Sequence, residues 1–160
     1  MKKRILVIIP AYNEQSNIVN VLKSVDAASH EYSCLVVNDG SKDDTQAVAE
    51  SAGIGCVIRL PHNLGIGGAV QTGFKYADYH GYDVAIQFDG DGQHLASEIP
   101  KIIAPLESGE LDACIGSRFV ESNDGFQSTF MRRLGIKTLM VAAKVLSGAT
   151  IFDSTSGFRA

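Results

Sequence analysis

Ile5-Leu6-Val7-Ile8-Ile9-Pro10-Ala11-Tyr12-Asn13-Glu14 is the stretch that decides the fold class. Five aliphatic residues run without alternation, and a polar turn follows at once. A strand with one face in water alternates apolar and polar positions. An unbroken aliphatic run is what a parallel strand needs when helices cover both of its faces. Similar runs recur at Tyr32–Val37, Gly55–Leu60, Val84–Phe88 and Ala113–Ile115. Between them, the patterning predicts helices over Asn13–Ala28, Lys42–Ala52, Gly67–Tyr79 and Ser97–Leu106. Ser41, with Asp44 three residues on, resembles a capping box for the second helix. Gly53 and Gly81 stand where C-terminal caps belong. Pro105 predicts that the fourth helix ends or kinks just before it. Alternating β and α segments indicate a three-layer α/β/α domain with a mainly parallel sheet.

A chain of 160 residues is long enough to bury one core. Its net charge of −4 leaves no electrostatic footprint for nucleic acid. An acidic protein that handles an anionic nucleotide needs a cation between them. Cys34, Cys56 and Cys114 are odd in number and lie in or beside apolar runs, which predicts three buried thiols in a reducing compartment. The N-terminus superficially resembles a signal peptide, but its apolar stretch is too short and Pro10–Glu14 turn polar where a cleavage site should lie. No run approaches the length of a membrane span. The expectation is a cytoplasmic or cytoplasm-facing chain.

In open parallel sheets, ligands bind beyond the carboxyl ends of the strands. Three polar clusters fall there: Pro10-Ala11-Tyr12-Asn13-Glu14, Asn38-Asp39-Gly40-Ser41 and Asp89-Gly90-Asp91-Gly92-Gln93-His94. Asp89 and Asp91, on a turn with little side-chain bulk, can share a hard divalent ion such as Mg²⁺ or Mn²⁺, with Gln93 as a further oxygen donor. The plain alternative is a solvated acidic turn. An EF-hand-type calcium loop fails at His94, where Gly is required, and at Pro100, where the bidentate Glu belongs. Asp39 can accept hydrogen bonds from a base or ribose, or belong only to a turn entering a helix. Tyr12 can stack on a base or be a half-buried aromatic. Gly65-Ile66-Gly67-Gly68 matches a dinucleotide fingerprint only in part and better suits close packing or a tight helix start. His30, His62 and His80 have no partners at metal-ligand spacing and are expected on the surface. Over 131–146, Met131, Leu134, Val141, Ala142 and Val145 form an apolar helical stripe opposite Arg133, Lys137 and Lys144. That basic face is either simply solvated or lies near phosphate or lipid heads.

Six segments in order carry a resemblance: Val7–Glu14, Val37–Ser41, Asn63-Leu64-Gly65, Asp89–His94, Gly116-Ser117-Arg118 and Ser156-Gly157-Phe158-Arg159. Together they resemble the family 2 glycosyltransferases of GT-A fold, particularly the dolichyl- or polyprenyl-phosphate sugar synthase branch. The resemblance implies one Rossmann-like GT-A catalytic domain over 1–160, truncated at its C-terminus, because relatives continue beyond this point, often into membrane helices. It implies that Pro10, Ala11, Tyr12, Glu14 and Asp39 contact the nucleoside. Asp89, Asp91 and Gln93 would bind the metal and through it the diphosphate, with Gly90 against the donor. Arg118 would face a phosphate, and Arg132 or Arg133 would hold a lipid phosphate. Catalytic roles fall to Asp91, Arg118 and Asp153. The implied reaction is transfer, with inversion, from a UDP- or GDP-linked sugar to a polyprenyl-phosphate or glycan acceptor. The full-length protein would work at the cytoplasmic face of a membrane. A non-catalytic nucleotide-sugar-binding module is the alternative. A nucleotidyltransferase would want a Gly- and basic-rich loop after the first strand, and Pro10–Glu14 contains no basic residue.

Overall fold

A computed structural model describes residues 3–116 and 157–160. The chain separates into two units, Met1–Cys114 with Phe158–Ala160, and Ile115–Gly157. The sheet belongs to the first. Its strands β1 (Ile5–Ala11), β2 (Ser33–Asn38), β3 (Cys56–Arg59) and β4 (Val84–Gln87) are all parallel, in the order β3-β2-β1-β4. All seven residues of β1 are buried, because successive side chains feed different cores. Ile5, Val7 and Ile9 join Cys34 and Val36 beneath α1 (Ile18–Ala28) and α4 (Ile99–Glu107). Leu6 and Ile8 join Leu35 and Val37 beneath α3 (Gly65–Tyr79). The three-layer arrangement follows, and with it the absence of alternation in the strand sequences. α2 (Thr45–Ser51) adds Ala49 to the first core.

α3 lies close to β1 because Gly73 carries no side chain. A Cβ there would stand 2.2 Å from Ile8 Cγ2. Gly81 ends this helix as expected, at φ +67°, with its N–H donating to Asp78 O and the N–H of Tyr82 donating to Ala77 O. Gly53, at φ +65°, follows α2 in the same way. Pro105 does not stop α4, which runs on to Glu107. Continuing the helix buries Leu106 beside Ile102 and Ile103, a gain set against the hydrogen bond to the Lys101 carbonyl that the proline cannot donate.

Four further expectations are corrected. α1 begins at Ile18 rather than Asn13, and α2 at Thr45 rather than Lys42, because the two preceding loops bond to each other. The N–H groups of Asn13 and Glu14 donate to Ser41 Oγ (3.0 Å) and Thr45 Oγ1 (2.8 Å), and Lys42 N–H donates to Asn13 Oδ1 (2.9 Å). Ser41 is therefore spent on the first loop and does not cap α2, where Asp43 Oδ1 accepts from Thr45 N–H instead (3.0 Å). The run Ala113–Ile115 does not extend the parallel sheet. The edge of β4 is taken by the end of the chain, with Gln87 N–H donating to Arg159 O in an antiparallel bridge, while Cys114 exchanges both backbone hydrogen bonds with Ala160.

Only Cys34 of the three thiols is fully buried; Cys56 is exposed and Cys114 intermediate, and all are free. His30, His62 and His80 are exposed, as expected. No helix among the described residues is long and apolar enough to cross a membrane.

Candidate functional site

β1, β2 and β4 deliver their polar C-terminal loops to one edge of the sheet. Ala11 pairs with Asn38, and the N–H of Asp39 donates to Ala11 O at 2.9 Å. On the other side, Phe88 N–H donates to Ile8 O at 2.9 Å, which aims the next turn across the end of β1. Gly90 makes that crossing possible, since a Cβ there would lie 2.9 Å from Pro10 O. The loops enclose a cavity of about 330 Å³. Pro10, Ala11, Tyr12, Glu14, Asp39, Asp89, Gly90 and Asp91 all line it. Gln93 does not; it lies exposed at the end of the same turn. Arg118, Arg132, Arg133, Asp153 and the basic stripe over 131–146 lie outside the described residues.

The carboxylates at this edge have different surroundings. Asp39 is 3% exposed and accepts from Leu64 N–H at 2.7 Å, so it ties the second loop to the entry of α3. Asp89 is held through both oxygens. Gln87 Nε2 donates to Oδ1 at 3.1 Å, and His94 Nε2 lies 3.1 Å from Oδ2. The His94 hydrogen bond, opposed by partial burial and aided by Gln87 and the charges of His94 and Arg159, holds this carboxyl below the usual carboxylate range. Asp91 is exposed, and its Oδ1 accepts from Gln93 N–H at 2.9 Å, which closes the turn.

A divalent ion fits this donor set. Asp89 is kept ionised, and each of its oxygens retains acceptor capacity beyond the bond it already accepts. Asp91 lines the same cavity one glycine away. Among the described residues no group of three or more His, Cys, Asp or Glu gathers to cage a metal. A small hard cation that keeps several positions for ligand oxygens does not need such a cage.

Sequence reasoning missed four contributors to the cavity: Asn63, Gly65, Ile66 and Ala69, from the entry and first turns of α3. The glycine run at Gly65–Gly68 was the available signal. Gln87 and His94 were missed as partners of Asp89, although His94 closes the segment Asp89–His94 that the sequence analysis had singled out.

The chain matches the model of glycosyl transferase family 2 over residues 6–160. It is 34% identical, over an alignment 175 positions long, to the UDP-N-acetylglucosamine–dolichyl-phosphate N-acetylglucosaminyltransferase of Methanococcus voltae, covering 99% of this chain and 69% of that protein. It is 33% identical over 163 residues to the polyprenol monophosphomannose synthase of Mycolicibacterium smegmatis, covering 99% and 61%. The glucosyl-3-phosphoglycerate synthase of Mycobacterium tuberculosis, solved with Mn²⁺ and UDP-glucose, shares the fold at a TM-score of 0.71. Its identity is 21%, over 98% of this chain and 55% of that one. The chain thus spans 61–69% of the length of these two curated relatives.

Proposed function

The chain belongs to glycosyl transferase family 2, and from that premise we propose that its cavity binds a nucleotide-diphosphate sugar through a divalent ion, as the donor half of an inverting transfer to polyprenyl phosphate. One observation carries the reading: the three loops bring Tyr12, Asp39 and the Asp89–Asp91 turn into a single cavity. Tyr12, 40% exposed at the rim, offers a face for a base. Asp39 offers a buried carboxylate to base or ribose hydrogen bonds. Asp89 and Asp91, with Gln93 near by, hold Mg²⁺ or Mn²⁺ against the diphosphate. The relatives named for dolichyl and polyprenol acceptors, and the solved structure with Mn²⁺ and UDP-glucose, support the same assignment.

In this reading the bond between the sugar carbon and the diphosphate oxygen breaks as an acceptor oxygen attacks from the opposite face. The bound ion supplies neutralisation of the charge left on the departing diphosphate. A lipid phosphate is already anionic, so it requires positioning by cations, for which Arg118 and Arg132 or Arg133 are proposed. A sugar hydroxyl would instead require a general base, and Asp153 is proposed for that case.

Calorimetric titration with UDP and with GDP, each with Mn²⁺ and again with a chelator, tests the assignment. Binding of one nucleotide only in the presence of metal is the expected result and names the donor class. Equal binding with and without the chelator would remove the ion from the reading. Turnover of a polyprenyl phosphate by the full-length protein separates transfer from mere binding.

A further inference from the structure

Asp89 does not stand alone at the end of β4; it sits on a small aromatic assembly that includes the last residues of the chain. The ring of His94 stacks on Phe158, with centroids 5.5 Å apart and planes at 26°, and it lies 5.6 Å from Phe88. Phe88 and Phe158 meet edge to face at 5.7 Å. Both phenylalanines are buried, and His94 keeps 15% of its side chain exposed. Packed between them, the imidazole has few ways to turn, and its Nε2 faces Asp89 Oδ2. An ionised carboxylate only accepts, so the proton of this contact belongs to Nε2. Gln87 closes the other side with two different groups. Its side-chain amide donates to Asp89 Oδ1, and its backbone N–H donates to Arg159 O. The strand residue that orients Asp89 is thus the one that anchors the returning chain beside Phe158.

We propose that His94, fixed between Phe88 and Phe158, is a positioning residue that holds Asp89 in the orientation needed to ligate the divalent ion. This rests on the reading of the Asp89–Asp91 turn as the ion site. Without an outer partner, a carboxylate at the end of a strand samples several rotamers, and ordering it is then charged against ion affinity. Groups that fix a ligand from behind typically account for about 10–100-fold in metal affinity. The arrangement also makes the ion site depend on Phe158, a residue distant in sequence. A mere packing role for His94 would require only an aromatic ring of similar size. It would not require a nitrogen directed at a carboxylate.

The two roles separate in His94→Phe, which keeps the ring and removes the donor, and His94→Gln, which keeps a donor and removes the ring. Mn²⁺ affinity is read by electron paramagnetic resonance of the ion, with UDP or GDP present, and melting temperature is read alongside. The expected result is about 10–100-fold weaker Mn²⁺ binding in His94→Phe at little change in melting, with substantial recovery in His94→Gln. Phe158→Ala should weaken the ion through the same contact. Asp91→Ala serves as the control on the underlying reading. If Asp91→Ala abolishes Mn²⁺ binding while His94→Phe binds as tightly as the unmodified protein, the positioning role is overturned and the ion site stands. If His94→Phe binds weakly but His94→Gln recovers nothing and both melt early, His94 is a packing residue only. If the unmodified protein binds no Mn²⁺, or Asp91→Ala binds it equally well, the ion site falls and the positioning role falls with it.

Discussion

Cys34 and Cys56 show at the residue scale how little a residue's type says without its surroundings. Both lie on neighbouring strands, in runs that look alike in sequence. Cys34 is 4% exposed, whereas Cys56 is exposed at the start of the edge strand β3. Burial, with a smaller push from the Asp26 carboxylate, raises the Cys34 thiol to about 12 from an ordinary value of 9.0. Cys34 should therefore resist a thiol reagent in the folded protein at pH 8, while Cys56 reacts, as peptide mapping of the alkylated protein would reveal. Labelling of Cys34 should appear only with denaturant. The sign of the pH effect follows from linkage. Between pH 9 and about 12 the unfolded chain loses this proton and the folded chain keeps it, so Cys34 lowers stability as pH rises through that window. The same dependence on surroundings governs the site. That Asp39, Asp89 and Asp91 meet at one edge was legible, because each directly follows a strand run of a parallel sheet, and all three line one cavity. Their unequal roles were not, since Asp89 is set apart by Gln87, His94 and a charge from Arg159, which the fold alone brings together.

At the scale of elements, the strands were legible and their neighbours' limits were not. A strand buried on both faces writes a continuous aliphatic run, as β1 and β2 do, and the partly exposed edge strand β3 and the short β4 also fall within one or two residues of the expected runs. Helix starts depend on where loop N–H groups find acceptors. Here those acceptors are Ser41 and Thr45, reached across space from Asn13 and Glu14. No local pattern encodes such a pairing. The end of the chain at the edge of β4 was hidden for the same reason, because an antiparallel bridge between Gln87 and Arg159 has no short-range signal. Gly73 allows the closeness of α3 to β1 to be tested. Gly→Ala within a helix ordinarily stabilises by about 1 kcal/mol. Here the added methyl would meet Ile8 Cγ2 at 2.2 Å, on a β-branched side chain of the central strand. Gly73→Ala should therefore destabilise the protein by about 1–3 kcal/mol, by overpacking. Chemical denaturation would register it as a lower midpoint at unchanged slope. A gain in stability would mean that α3 can lift from the sheet without cost.

For the whole molecule, the deciding quantity is charge. A net charge of −4 opposes a nucleoside diphosphate, and among the side chains lining the described cavity the ionisable ones that carry charge are the acids Glu14, Asp39, Asp89 and Asp91. Neither the protein nor the nucleotide should gain much from the other alone. In the proposed site, a divalent ion held by Asp89 and Asp91 would turn that repulsion into attraction, and ion and nucleotide would bind the folded state together. Stability then carries the signature of the ternary complex. Saturation to about a hundred times the dissociation constant adds about 2.7 kcal/mol to unfolding. For a chain of this length that raises the melting temperature by roughly 5–10 °C. Mn²⁺ with the preferred nucleotide should produce this shift in a thermal melt, and nucleotide with chelator should produce almost none. Mn²⁺ alone should fall between, because in the proposed site Asp89 and Asp91 would supply only part of a coordination shell and leave the rest to the diphosphate. An equal shift from nucleotide with and without the ion would mean that cations elsewhere in the chain, rather than the acidic turn, receive the phosphates.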